Sequence, residues 1–294
     1  MITVEDLRAA PTDADLHRRY ALQCLDGGQL ALGYAELRTA MALGAEPGEE
    51  KVVEALRKRL PDLEAMPHNS YFRFHVLRTK LRELSRGEPC RVLDVGGGHG
   101  ELAQFLPEAV YCLAEPDVNG ISGLDLPFED RSFDWVVACH VLEHVPLADR
   151  DLFLDQLWSK SRRGIVLLNP FEVEGTHVED RLRLSIAITD SRHSKEHLAC
   201  SLPRVEHVTR WAASRGLSCA AEPKGTLTVA HAMLFMEFFG RNQGCHAELE
   251  QINRFYNTKY LELMDSPTWP GAYLVTFQPA PMSNETQHTV HERR

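Results

Sequence analysis

The stretch Asp94-Val95-Gly96-Gly97-Gly98-His99-Gly100 joins a carboxylate to a backbone almost free of side chains. Glycine lets a chain turn with positive φ and lets a ligand lie against the main chain. An apolar run (Val92, Leu93, Val95) precedes the turn, and a helical pattern with Leu102, Phe105 and Leu106 follows it. A strand that feeds a glycine turn into a helix start is a ligand-binding arrangement, with backbone N–H groups aimed at the bound group. The spacing, acidic-x-Gly-x-Gly-x-Gly, differs from that of dinucleotide sites. About twenty residues on, Glu115 ends the next apolar run, Val110 to Ala114, where an acid can accept hydrogen bonds from ribose hydroxyls. Asp117 is the alternative acid.

A third run, Phe133 to Ala138, ends at Cys139 and His140, and His144 stands four residues beyond. Ligands of doubly wound sheets bind outside the carboxyl ends of the strands. Histidine titrates near neutral pH and suits proton transfer there. With a helix opening at His140, the two histidines share one face. Glu196 and His197 are further candidates, on a polar segment that reads as an insertion between Phe171 and Ser201. Each of these could equally line a pocket, cap a helix or face solvent. The chain has fourteen histidines. No pair has a convincing ligand spacing inside a helical context, so a metal is not expected.

The glycine stretch resembles the first cofactor motif of class I S-adenosylmethionine-dependent methyltransferases, and Asp94, Gly96, Gly98 and Gly100 match position by position. Leu126-Pro127-Phe128, then Ser132-Phe133-Asp134, then Leu142-Glu143-His144 resembles the same family's downstream pattern. The resemblance implies S-adenosyl-L-methionine as cofactor and S-adenosyl-L-homocysteine as product. It implies cofactor contacts from Asp94, Gly96, Gly97, Gly98, Gly100, Glu115 or Asp117, Leu124, Asp125, Cys139 and His140. With that cofactor, His140, His144 and His197, placed as above, are the candidates for catalysis. One departure is visible: about ten residues separate Glu115 from Leu126, too few for a crossover helix and strand. Asn119-Gly120 is expected to turn the chain there instead. Further on, Glu196-His197-Leu198, Leu202-Pro203, Trp211, Asn253 to Tyr256 and the last strand are similar to bacterial methyltransferases of cell-surface polysaccharide and glycoside modification.

Strands alternating with helices imply an α/β fold, a parallel doubly wound Rossmann-like sheet. Further strands are expected at Ile165 to Leu168, Leu217 to Ala221 and Ala272 to Phe277. Helices are expected from Pro203 to Arg215, Thr226 to Gly240 and His246 to Leu263. The helices after Thr226, with Met233, Phe235, Met236, Phe238 and Phe239, could form a substrate lid or simply core. A helical region occupies residues 1–66, the methyltransferase domain 67–280 and a polar tail 281–294. In the first region Thr12 and Asp15 look like a helix start. Leu16 to Ala45 then resembles one tetratricopeptide-type hairpin, which must pack on the main domain or on a partner.

The formal net charge of −10 argues against a nucleic-acid substrate. Seven scattered cysteines without CxxC spacing argue against disulfides or structural zinc. With no signal peptide and no apolar run long enough to span a bilayer, a cytoplasmic protein is expected. The expected reaction is O-methylation of a small molecule, saccharide or natural product. Nitrogen, carbon or peptide acceptors, and a cofactor-binding subunit without catalysis, are the alternatives. A homodimer or a partner held by the N-terminal helices is also open.

Overall fold

Helix α1 (Val4–Ala9) opens the computed structural model, which describes residues 1–45, 49–261 and 265–280. Thr3 and Asp6 cap it reciprocally, each side chain accepting from the other's backbone N–H. Helix α2 (Ala14–Asp26) is capped by Asp13, which accepts from Leu16 N, and not by Thr12 as the sequence suggested. Gly27 and Gly28 end α2, and α3 (Leu30–Ala42) returns against it. Helix α4 (Glu49–Arg57) and the long α5 (His68–Leu84) lead into the sheet.

Among the described residues the sheet has six strands, in the order β2-β1-β3-β4-β6-β5. These are β1 (Arg91–Val95), β2 (Val110–Ala114), β3 (Phe133–Cys139), β4 (Ser161–Asn169), β5 (Leu217–Lys224) and β6 (Ala272–Pro279). The first four run parallel and are buried on both faces, as their continuous apolar sequences require. The parallel order read from the sequence holds for β1 to β4 and ends at β6, which runs antiparallel to both β4 and β5. Helices cover both faces: α3, α5 and the short α6 (Leu102–Phe105) on one, α7 (Arg150–Lys160) and α10 (Val205–Ser214) on the other.

Helix α3 protects the β2 edge, where unpaired backbone groups would otherwise invite another strand. Thr39 Oγ1 accepts from Leu113 N at 2.9 Å, and Asn119 Nδ2 donates to Leu113 O at 2.9 Å. The buried Arg38 donates to the carbonyls of Ala103, Leu106 and Ala109, which cluster around the end of α6. Between Glu115 and Phe133 the chain forms neither helix nor strand, as the short spacing predicted. Gly120 turns with φ of +74° against α1, where a β-carbon would press on the backbone of Arg8.

The expected polar insertion is helical: α8 (Val178–Thr189) and α9 (Arg192–Cys200). Helices α11 (Leu227–Asn242) and α12 (His246–Lys259) pack beside α5. Leu263 and the 281–294 tail lie outside the described residues. Among the described residues no helix is long and apolar enough to cross a membrane.

Candidate active site

The glycine loop leaves β1 between two carboxylates. Gly96, Gly98 and Gly100 all have positive φ, at +71°, +56° and +74°. That alternation is costly for side-chain-bearing residues, which explains the spacing. Gly98 is exposed, and its N–H donates to Glu115 Oε2 at 2.9 Å, across the ends of β1 and β2. Gly97 lies over Asp94 and leaves no room for a β-carbon. Gly100 is buried, and a β-carbon there would collide with Ala35 of α3. It therefore fixes the loop from behind, while Gly96 to Gly98 form the accessible side.

Asp94 is 1% exposed. Its Oδ2 accepts from Tyr111 Oη at 2.7 Å, and its Oδ1 has no hydrogen-bond partner. Burial pushes the carboxyl up to about 7, against the Tyr111 hydrogen bond that lowers it. An orphaned buried carboxylate oxygen calls for a donor or a positive charge. Glu115 is also raised by burial, while the N–H groups of Gly98 and Asp117 oppose the shift. These features fit a sulfonium nucleoside with an amino-acid end: a cation for Asp94, hydroxyls for Glu115 and bare backbone between them. Asp117 and Asp125 are exposed, Leu124 is half-buried, and Cys139 borders the site with its thiol pushed up to about 12 by burial.

Histidines gather at the end of β3. His140 has φ of +58°, a left-handed conformation, and its N–H donates to Leu168 O. A strained residue at a strand end is a mark of function when its surroundings hold it there. The expected helix at His140 is corrected: the chain makes two short 3₁₀ turns, Leu142–His144 and Leu147–Asp149, and α7 begins only at Arg150. The first turn sets His140 beside Glu143, and His144 beside Glu196 and His197 of α9, rather than both along one helical face. His140 Nδ1 lies 3.2 Å from Glu143 Oε1. His144 Nε2 lies 3.2 Å from His197 Nε2, and His197 Nε2 is 3.8 Å from Glu143 Oε1. Val141, between these residues, packs on Gly96 so closely that a β-carbon there would clash. The histidine cluster thus adjoins the glycine loop.

Glu143 is fully buried, and its Oε2 accepts from Asn169 Nδ2. Burial raises its carboxyl, but His140 and His197 outweigh this and hold it below its ordinary value. Burial pushes His140 and His197 down, His197 to about 4, with Arg73 adding to the effect at His140. Both rings are therefore neutral near pH 7.

The sequence reading brought forward His140, His144 and His197, and the fold unites all three. It gave no role to Glu143, Asn169 or Tyr111. The signal for Glu143 was present in Leu142-Glu143-His144, whereas Asn169 and Tyr111 needed the sheet register. Helix α9 carries His193 and His197 four residues apart. The expected lid residues Met233 and Met236 line an apolar groove between α11 and α12 with Ile252 and Phe255, and the glycine loop does not border it.

Residues 70–222, just over half the chain, match the family described as methyltransferase domain. The chain belongs to this methyltransferase family. It is an S-adenosylmethionine-dependent enzyme, and the matched stretch runs from α5 through the glycine loop and histidine cluster into β5. The methyltransferase is similar to a Galdieria sulphuraria protein thought to be a sarcosine dimethylglycine methyltransferase, with TM-score 0.46 and 14% identity over 70% of this chain and 85% of that one. It is similar to the YcgJ protein of Bacillus subtilis, with TM-score 0.41 and 13% identity over 70% and 98%. It is also similar to phosphoethanolamine N-methyltransferase 2 of Haemonchus contortus, with TM-score 0.45 and 13% identity over 69% and 52%. No curated protein matches the methyltransferase significantly.

Proposed function

We propose that this methyltransferase methylates a hydroxyl oxygen of a small-molecule, saccharide or natural-product acceptor. The observation that carries the reading is the His140–Glu143 pair beside the glycine loop. A hydroxyl is a weak nucleophile until a base takes its proton, whereas a free amine needs no such help. His140 has its Nδ1 turned to the Glu143 carboxylate, which leaves Nε2 to accept a proton. Glu143, held by Asn169, places its carboxylate beside the ring and offsets the charge that the proton brings.

Asp94, Gly96, Gly97, Gly98, Glu115 and Cys139 hold the cofactor in this reading, with Gly100 fixing the loop. Asp117, Leu124 and Asp125 stand at its rim. When bound, S-adenosyl-L-methionine supplies an electrophilic methyl group. The protein's own contribution is to align the acceptor oxygen with that group and to receive the proton. The acidic chain gives little attraction to nucleic acid. Partnership through the N-terminal helices finds less support, since α3 spends its polar face on the β2 edge and its Ala35 on Gly100.

The reading is tested by incubating the enzyme with S-adenosyl-L-methionine and a panel of hydroxyl, amine and peptide acceptors. Mass spectrometry of the product identifies the methylated atom. Methylation of amines alone, at a rate that His140→Asn leaves unchanged, would overturn it.

A further inference from the structure

Helix α9 presents His193, Glu196, His197 and Cys200 at helical spacing on one side, toward the turn that carries Glu143 and His144. Three ligand-capable atoms meet there: Glu143 Oε1, His144 Nε2 and His197 Nε2. The two imidazole nitrogens are 3.2 Å apart, and the carboxylate oxygen is 3.8 Å from His197 Nε2. Tetrahedral zinc, with bonds of about 2.0–2.1 Å, spaces its ligand atoms roughly 3.3 Å apart. His197 Nε2 therefore already stands near the separations from the other two that a shared ion imposes, and all three ligand atoms lie within 4.8 Å of one another.

A second observation points the same way. Glu143 is fully buried, yet its Oε1 makes no hydrogen bond; the His140 contact at 3.2 Å is misaligned. A buried carboxylate oxygen left in this way is unfavourable unless a cation or a donor completes it. Outer groups are also in position. His144 Nδ1 lies 2.8 Å from Glu196 Oε2, off the ideal hydrogen-bond direction. Arg192 Nε in turn donates to Glu196 at 2.6 Å. A carboxylate behind a ligating imidazole is the usual means of orienting it.

We propose that Glu143, His144 and His197 form a binding site for one divalent transition-metal ion such as zinc, manganese or iron(II). Two imidazoles and one carboxylate on one side leave coordination positions open on the other. The site adjoins the glycine loop through Val141. Its open positions suit the acceptor oxygen, with preference for acceptors bearing two adjacent oxygens that chelate the ion. This last role rests on the O-methylation reading above; the ion site itself does not. An ion there lowers the pKa of a bound hydroxyl and templates it, and His140 Nε2 takes the released proton.

The test uses the full chain, stripped with chelator and titrated with Co²⁺ and Zn²⁺, with bound metal measured by mass spectrometry. One equivalent of Co²⁺ should bind, show visible absorption of a nitrogen–oxygen site, and be displaced by Zn²⁺. Glu196→Gln should weaken binding roughly tenfold, as for groups that orient a ligand. His197→Ala should weaken it more, and His207→Ala, remote from the cluster, should not change it. Because Glu143→Gln alters a buried residue, His197→Ala on the helix carries the decision. Absence of stoichiometric uptake, or uptake that His197→Ala leaves unchanged, would overturn the site. S-adenosyl-L-homocysteine binding, measured on the same samples, separates the two readings. Normal nucleoside binding without metal uptake defeats only the metal site. Metal uptake without hydroxyl methylation defeats only the acceptor reading.

Discussion

Glu36 of α3 accepts a hydrogen bond from Asn119 Nδ2 at 2.9 Å, and Asn119 Oδ1 accepts from the backbone N–H of Glu115. All of Glu36 and Asn119 is buried. The N-terminal hairpin therefore positions the carboxylate that faces the glycine loop, although it lies outside the matched family stretch. Asn119→Ala leaves Glu36 Oε1 and Leu113 O without a donor. The expected cost is about 1–3 kcal/mol of stability in urea unfolding, with weaker nucleoside affinity by calorimetry. A stability loss with unchanged affinity would show that the hairpin does not hold Glu115.

The same carboxylate predicts a pH effect. Both nitrogens of the buried His17 face acceptors, Nδ1 to Glu36 Oε2 at 2.6 Å and Nε2 to Pro11 O at 3.0 Å. Burial lowers its pKa, but Glu36 and Pro11 outweigh burial and the net shift is upward from 6.5. A raised folded-state value gives stability that is complete below the unfolded pKa and fades as pH rises through the folded one. The urea midpoint should fall as pH rises above about 6.5, and His17→Gln should flatten that fall. An equal slope in both proteins would refute the charged pair.

Asp94 has the opposite consequence. Its folded pKa of about 7 lies above the ordinary 3.8, so the unliganded fold loses stability as pH rises from about 4 to about 7. Asp94→Asn should be more stable than wild type at pH 8 in thermal unfolding, and should bind S-adenosyl-L-homocysteine much more weakly. Wild-type affinity in this variant would disprove the cofactor role.

Gly100 meets Ala35 at a φ of +74°. Gly100→Ala adds a left-handed penalty of about 1–2 kcal/mol and an overpacking cost of about 1–3 kcal/mol. Adding Ala35→Gly should recover the packing part alone. Denaturant midpoints of both variants decide this, and no recovery would mean that the two residues do not touch.

His140→Asn tests the proton acceptor with little backbone disturbance, because asparagine tolerates positive φ. Turnover should drop roughly 10²–10⁴-fold, the usual contribution of a general base, with cofactor affinity retained. Turnover near wild type would remove His140 from the reaction.

The sequence alone determined the elements whose chemistry is local. Apolar runs ending in Asp94, Glu115 and His140 predicted strands, and glycine spacing predicted a loop that only positive φ can build. The short Glu115 to Leu126 interval predicted a missing crossover, and the chain has none there. Tertiary structure alone decided which distant groups meet. That α3 closes the β2 edge depends on Thr39 and Arg38 finding strand and helix-end backbone. That β6 runs antiparallel depends on a return path that apolar content does not encode. That α9 brings His197 to Glu143 depends on packing across 54 residues of chain, and no periodicity records a contact at that separation. Local patterns fix backbone conformation, whereas pairing of remote side chains is set only when burial forces them to share one interior.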